Sequence, residues 1–95
     1  MKSILQSKKE CLVCKGTLGL HEHHVFEGTA NRKKSEKDGL KVYLCPWHHN
    51  ASNYGVHFNK VLDLAIKQLA QREYEKSHTR EEFIERYGKN YLDSD

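Results

Sequence analysis

Apolar residues are scarce in this chain. Hydrophobic side chains make up 37% of its 95 residues and mean hydropathy is −0.86. A core built from so few is thin, and domains of this size commonly recruit a metal or disulfide staple. No apolar run approaches the roughly 18 residues needed to span a bilayer, which excludes a transmembrane helix and predicts no membrane partner. Residues 1–10 are polar and contain Lys2, Lys8 and Lys9, the wrong composition for a secretory leader. Cysteine is also sparse, and its count is odd. Cys11, Cys14 and Cys45 cannot all pair within one chain, so the expectation is reduced thiols in a cytoplasm, where close spacing reads as metal binding. Charge of one sign is nearly absent as a surplus: 16 basic and 13 acidic residues leave +3. That surplus is compatible with an anionic partner, but local clustering carries more information than the total.

What is present is concentrated. Residues 1–10 read as a flexible N-terminal arm and 11–95 as one domain, with a core over 11–58 and a helical extension over 59–95. Leu18–Val25 alternates weakly and predicts a first strand, which sends His21 and His23 to one face and Glu22 and His24 to the other. Glu22 reads as an exposed strand residue, with orientation of an imidazole as its other use. Phe26–Gly39 reads as a loop, broken by Gly28, Asn31 and Gly39 and carrying the charged run Arg32-Lys33-Lys34-Ser35-Glu36-Lys37. Such a run is either a solvated face or a phosphate-binding one; Arg32, Lys33, Lys34 and Lys37 are the candidates. Leu40–Leu44 alternates cleanly and predicts a second strand with Leu40, Val42 and Leu44 inward. Pro46 suits the first turn of a helix, where its missing N–H is not needed.

Two amphipathic helices should follow. Val61, Leu62, Ala65, Ile66, Leu69 and Ala70 recur at helical spacing between Asn59 and about Lys76. Thr79-Arg80-Glu81-Glu82 is a capping-box pattern ahead of Phe83, Ile84 and Tyr87, with Gly88 as the stop.

The chemistry lies in the cysteines and histidines. Cys11, Cys14, Cys45 and His48 form a C-x2-C … C-x2-H set, and two-residue spacers let each pair reach one ion. Four protein ligands close the coordination sphere, so this set predicts a structural Zn²⁺; His49 is the alternative fourth ligand. His21, His23, His24, His49, His57 and His78 remain. On a helix starting at Pro46, His49 and Asn53 would share a face.

Glu22-His23-His24-Val25-Phe26, the strand Leu40–Leu44 and Cys45-Pro46-Trp47-His48-His49-Asn50 resemble HNH endonucleases of the ββα-metal type, with zinc knuckles flanking the hairpin. More narrowly, His23–Phe26, Asn31-Arg32-Lys33-Lys34-Ser35, Leu44-Cys45-Pro46 with His48-His49, and Val56-His57-Phe58-Asn59 are similar to small bacteriophage HNH-like proteins, some grouped with recombination-enhancing nucleases. The likeness covers about residues 11–60 and weakens toward Leu92. It implies an α+β fold with a treble-clef-like ββα core and two C-terminal helices. By position it implies His23 as a metal ligand, His24 as general base, and His49 and Asn53 as further ligands of one catalytic divalent ion (Mg²⁺, Mn²⁺, Ni²⁺ or Zn²⁺). His57, after Gly55, either folds back as an extra ligand or phosphate contact or has a plain structural role. DNA is the implied partner, met along the minor groove, with a recombination protein as a second partner and a bacterial host cytoplasm as the setting. The family's middle Asn should fall near Gly39 or Leu40, and no Asn stands there; Asn31 is the candidate substitute.

The leading expectation is therefore a metal-dependent DNA endonuclease of low sequence specificity. The second is a zinc-stapled nucleic-acid-binding module without catalysis, which the absent Asn favours. A redox role for Cys11-x-x-Cys14 lacks the βαβ context that such motifs need.

Overall fold

The computed structural model describes residues 2–50, 52 and 54–92. Strand β1 (His21–His24) pairs antiparallel with β2 (Lys41–Leu44), in a register that sets His21 opposite Leu44 and His24 opposite Lys41. Helix α1 (Thr29–Asp38) fills the connection between them. A one-turn helix α2 (Pro46–His49) follows β2 directly, then α3 (Lys60–Tyr74) and α4 (Arg80–Tyr87). The architecture is α+β, with a two-stranded sheet and helices, and is compatible with a ββα core. Among the described residues no helix is long and apolar enough to cross a membrane.

Leu40, Val42 and Leu44 are fully buried, as strand alternation predicts. They meet Val25, Phe26, Val56, Ile66, Ala70, Tyr74, Phe83 and Tyr87 in one core. Phe26 is its hub, with ring centroids 4.6 Å from Tyr87 and 5.3 Å from Phe83. Aromatic pairs at such distances add to the area they bury, which suits a chain with few apolar residues. The expected inward set of α3 is corrected in part. Val61 is 80% exposed, while Gln71 and Tyr74 are buried instead. Gln71 faces inward because it is bonded there: its amide donates to Asn90 Oδ1 at 2.7 Å and accepts from Tyr91 N–H at 2.8 Å, docking residues 90–91 on the helix.

The loop expected over Phe26–Gly39 is a helix over most of its length. Its sequence, TANRKKSEKD, has no apolar stripe and only Ser35 is buried, so hydrophobic periodicity gives no signal. Polar contacts hold it. Ser35 Oγ accepts from Phe26 N–H at 3.2 Å, Asp38 takes Arg86 Nε at 2.6 Å and Tyr87 Oη at 2.5 Å, and Lys34 Nζ donates to Arg86 O at 2.8 Å. Gly39 ends it in the left-handed conformation at φ 71°, where a side chain would be strained. The two glycines read as breakers are this helix's ends.

Residues 2–10, read from composition as a loose arm, lie along the outer edge of β2. Ser3 Oγ donates to Lys41 O at 2.5 Å, Ile4 N–H to Gly39 O at 2.9 Å, and Gln6 Oε1 accepts from Tyr43 N–H at 2.6 Å. Covering an open strand edge satisfies its backbone groups.

Candidate functional site

The strand-to-helix junction and the N-terminal turn bring Cys11, Cys14, Cys45 and His48 together, with ligand atoms all within 4.8 Å of one another. Cys14 and Cys45 Sγ are 3.7 Å apart, and His48 Nδ1 lies 3.7 Å from Cys11 Sγ and 3.3 Å from Cys45 Sγ. A tetrahedral zinc with Zn–S near 2.3 Å and Zn–N near 2.0 Å has edges of about 3.8 Å (S–S) and about 3.5 Å (S–N). The cluster fits, so it could hold a metal and is compatible with structural zinc. Burial raises the Cys11 thiol, but backbone N–H groups of Cys14, Cys45 and Val13 lower it further, to about 6. Those donors favour the thiolate a metal needs. His48 completes this set; His49 points elsewhere.

His49 belongs to a second cluster, with His23 and His57. Strand alternation carries His23 inward, where it is 4% exposed and its Nε2 has no hydrogen-bond partner. His49 comes from the end of α2. His57 arrives by a return of the chain, in which Val56 N–H donates to His48 O at 2.8 Å and His57 N–H to His49 O at 3.2 Å. Gly55 permits that return. A Cβ there would sit 2.8 Å from the carbonyl carbon and oxygen of His49.

His49 Nε2 and His57 Nε2 are 3.1 Å apart, and the His23 ring centroid is 5.4 and 5.5 Å from theirs. Burial, then the neighbouring His49 and His57, pull His23 down to about 3; burial, His57 and His21 lower His49. His23 and His49 are thus held toward the form that ligates a metal, and the buried, unpartnered His23 Nε2 is an atom that a bound cation would satisfy. An all-imidazole set suits zinc, nickel or cobalt better than magnesium, which prefers oxygen ligands. Glu27 stands at the rim, its Oε1 3.9 Å from His57 Nδ1.

Helix α2 ends at His49 and Asn50 closes it, so the expected shared helical face with Asn53 is not provided by α2. Asn53 itself lies outside the described residues. Asn31, the candidate replacement for the missing hairpin Asn, donates to Tyr87 O at 3.4 Å and ties α1 to α4 instead.

His24 points away from His23 on the strand, yet both line one cavity of about 320 Å³ with His49, His57, Glu27 and Arg32. His24 Nε2 lies 2.8 Å from Glu36 Oε1 on α1, and Lys41 Nζ lies 2.8 Å from Glu36 Oε2 and 3.4 Å from Glu22. Hydrogen bonds, the largest from Lys41 and a lesser one from His24, hold Glu36 well below the usual carboxylate range. Arg32, Lys33 and Lys37 line a groove that continues from His24. Lys34 does not join them, since its ammonium is bound to Arg86 O.

Three participants escaped the sequence reading. His21 Nδ1 sits 2.8 Å from His49 Nδ1 and can fix that ring's orientation; its shared strand face with His23 was the available signal. Glu36 and Glu27 had none, because the first was assigned to a loop and the second is a single exposed carboxylate. Comparison with protein-family models, with curated proteins and with solved structures finds no match to this chain.

Proposed function

We propose that this chain is a metal-dependent endonuclease of the HNH type, hydrolysing DNA phosphodiester bonds with little sequence specificity. One observation carries the reading: a His23–His49–His57 cluster, a separate histidine and a cationic side chain share one cavity, beside a Cys3His group able to hold the short hairpin in place. A divalent cation held by His23, His49 and His57 would supply Lewis-acid stabilisation of the leaving oxygen and of the phosphate. His24, not engaged in that cluster, accepts the proton of the attacking water. Arg32, Lys33 and Lys37 position the phosphate backbone, contacts that carry no sequence information. Cys11, Cys14, Cys45 and His48 hold a structural zinc that closes the N-terminal turn onto the hairpin. The phage likeness of the motifs adds a bacterial cytoplasm as the setting and a recombination protein as a partner.

The test is nicking of supercoiled plasmid at low salt with Ni²⁺, Mn²⁺, Mg²⁺ or EDTA. Wild type should cut with a divalent ion and not with EDTA. His24→Ala should lose about 100-fold or more in rate at unchanged zinc content and DNA affinity. DNA binding without cutting by any loaded wild-type sample would instead support the catalytically silent binding module, which the absence of an Asn near Gly39 favours. Equal cutting by both proteins would reject His24 as the base.

A further inference from the structure

The cluster Glu22, His24 and Glu36 brings one imidazole and two carboxylates within 4.8 Å of one another, a set that could be read as a third cation site. It already contains a cation. Lys41 Nζ lies between the carboxylates, 2.8 Å from Glu36 and 3.4 Å from Glu22, and its side chain is only 9% exposed. The strand register places Lys41 directly opposite His24, so α1 lowers Glu36 onto a cross-strand pair that the sheet itself fixes. The two oxygens of Glu36 divide the work: Oε2 meets Lys41 and Oε1 meets His24 Nε2 at 2.8 Å.

We infer that Glu36 is a positioning residue for His24, fixing the imidazole as its Nε2–H tautomer and leaving Nδ1 as the basic atom. An ionised carboxylate can only accept, so the proton of a neutral His24 must sit on Nε2, and the lone pair is then on Nδ1. A carboxylate behind a histidine also holds the ring in one orientation, as in hydrolytic triads. Among the described residues the hydrogen bond to the His24 ring comes from Glu36, while Glu22 of the same cluster is 3.4 Å from Lys41 Nζ. Position 39 is glycine, Leu40 is buried in the core, and Asn31 is turned to Tyr87 O. The catalytic consequence rests on the nuclease reading, whereas the tautomer does not.

The experiment therefore has two arms on the zinc-loaded protein. In the first, ¹⁵N-histidine labelling and long-range ¹H–¹⁵N spectra report the tautomer of His24. Wild type and Glu36→Gln, whose amide oxygen can still accept, should show Nε2–H; Glu36→Ala should lose that preference. In the second, single-turnover plasmid cleavage should fall about 10- to 100-fold in Glu36→Ala, with DNA affinity within about twofold, and recover in part in Glu36→Gln. Adding Glu36→Ala to His24→Ala should produce no further loss, because a residue acting through His24 has nothing left to act on. An unchanged His24 tautomer in Glu36→Ala, or an equal loss with and without His24, overturns the inference. If wild type cuts no DNA, the nuclease reading falls, and the tautomer arm alone decides whether Glu36 positions His24.

Discussion

At the scale of single residues, the chain keeps a buried imidazole nitrogen with nothing to bond. His23 is 4% exposed and its Nε2 has no partner, an arrangement that weakens a fold unless a ligand answers it. His23→Leu, of similar volume, should therefore stabilise the protein carrying a single zinc, at the Cys3His group, by about 1–2 kcal/mol in urea unfolding at pH 7.5 while abolishing binding of a second divalent ion. The gap should widen on acidification. Folded His23 is held at about 3, whereas an unfolded histidine titrates near 6.5. Stability that wild type has above about pH 6.5 is lost as pH falls toward 3, because only the unfolded chain takes up that proton, by at most about 1.4 kcal/mol per pH unit. Unfolding at pH 7.5 and 5.5 checks both statements, since His23→Leu should lack this slope. Ligand pairs at two-residue spacing were legible in the sequence because covalent reach alone brings Cys11 to Cys14 and Cys45 to His48. Glu36 was not, because its distance to His24 depends on a helix the sequence does not announce.

At the scale of elements, local rules succeeded where an apolar stripe or a cap exists. Asn59 Oδ1 accepts from Val61 and Leu62 N–H, and Thr79 with Glu82 closes the capping box at the start of α4. Helix α3 is legible from its apolar spacing and α4 from its capping box, whereas the Asn59 cap is seen in the structure alone. Helix α1 was missed because its bonds to Phe26, Arg86 and Tyr87 lie 9 to 52 residues away in sequence, beyond any local pattern. Helix α2 was expected too long, since the chain folds back at Gly55 to lay Val56 and His57 beside His48 and His49. That fold-back is what adds His57 to the cluster. Gly55→Ala, with its Cβ 2.8 Å from the His49 carbonyl, should weaken a second divalent ion by about tenfold or more, an effect like that of lost supporting contacts around a metal. Zinc at Cys11, Cys14, Cys45 and His48 should remain. Calorimetric titration with Ni²⁺ beside a zinc assay separates the two effects.

At the scale of the whole molecule, charge sets the expected binding behaviour. The total surplus of +3 is small, but Arg32, Lys33 and Lys37 line one groove. If these three carry the phosphate contacts, the logarithm of DNA affinity should fall with the logarithm of salt at a slope of about −3. Lys33→Ala with Lys37→Ala should reduce that slope by about 2, whereas Lys34→Ala, already bound to Arg86 O, should leave it unchanged. Fluorescence anisotropy across a salt series reads all three.

The proposed function requires two metal sites with different roles, and counting ions tests that most directly. Native mass spectrometry of the zinc-loaded chain titrated with Ni²⁺ should show two ions per chain, of which one survives dialysis against EDTA. His49→Ala should keep only the EDTA-resistant ion. A wild-type chain that never holds more than one ion, or a His49→Ala chain that still holds two, would contradict the assignment of His23, His49 and His57 as a metal centre.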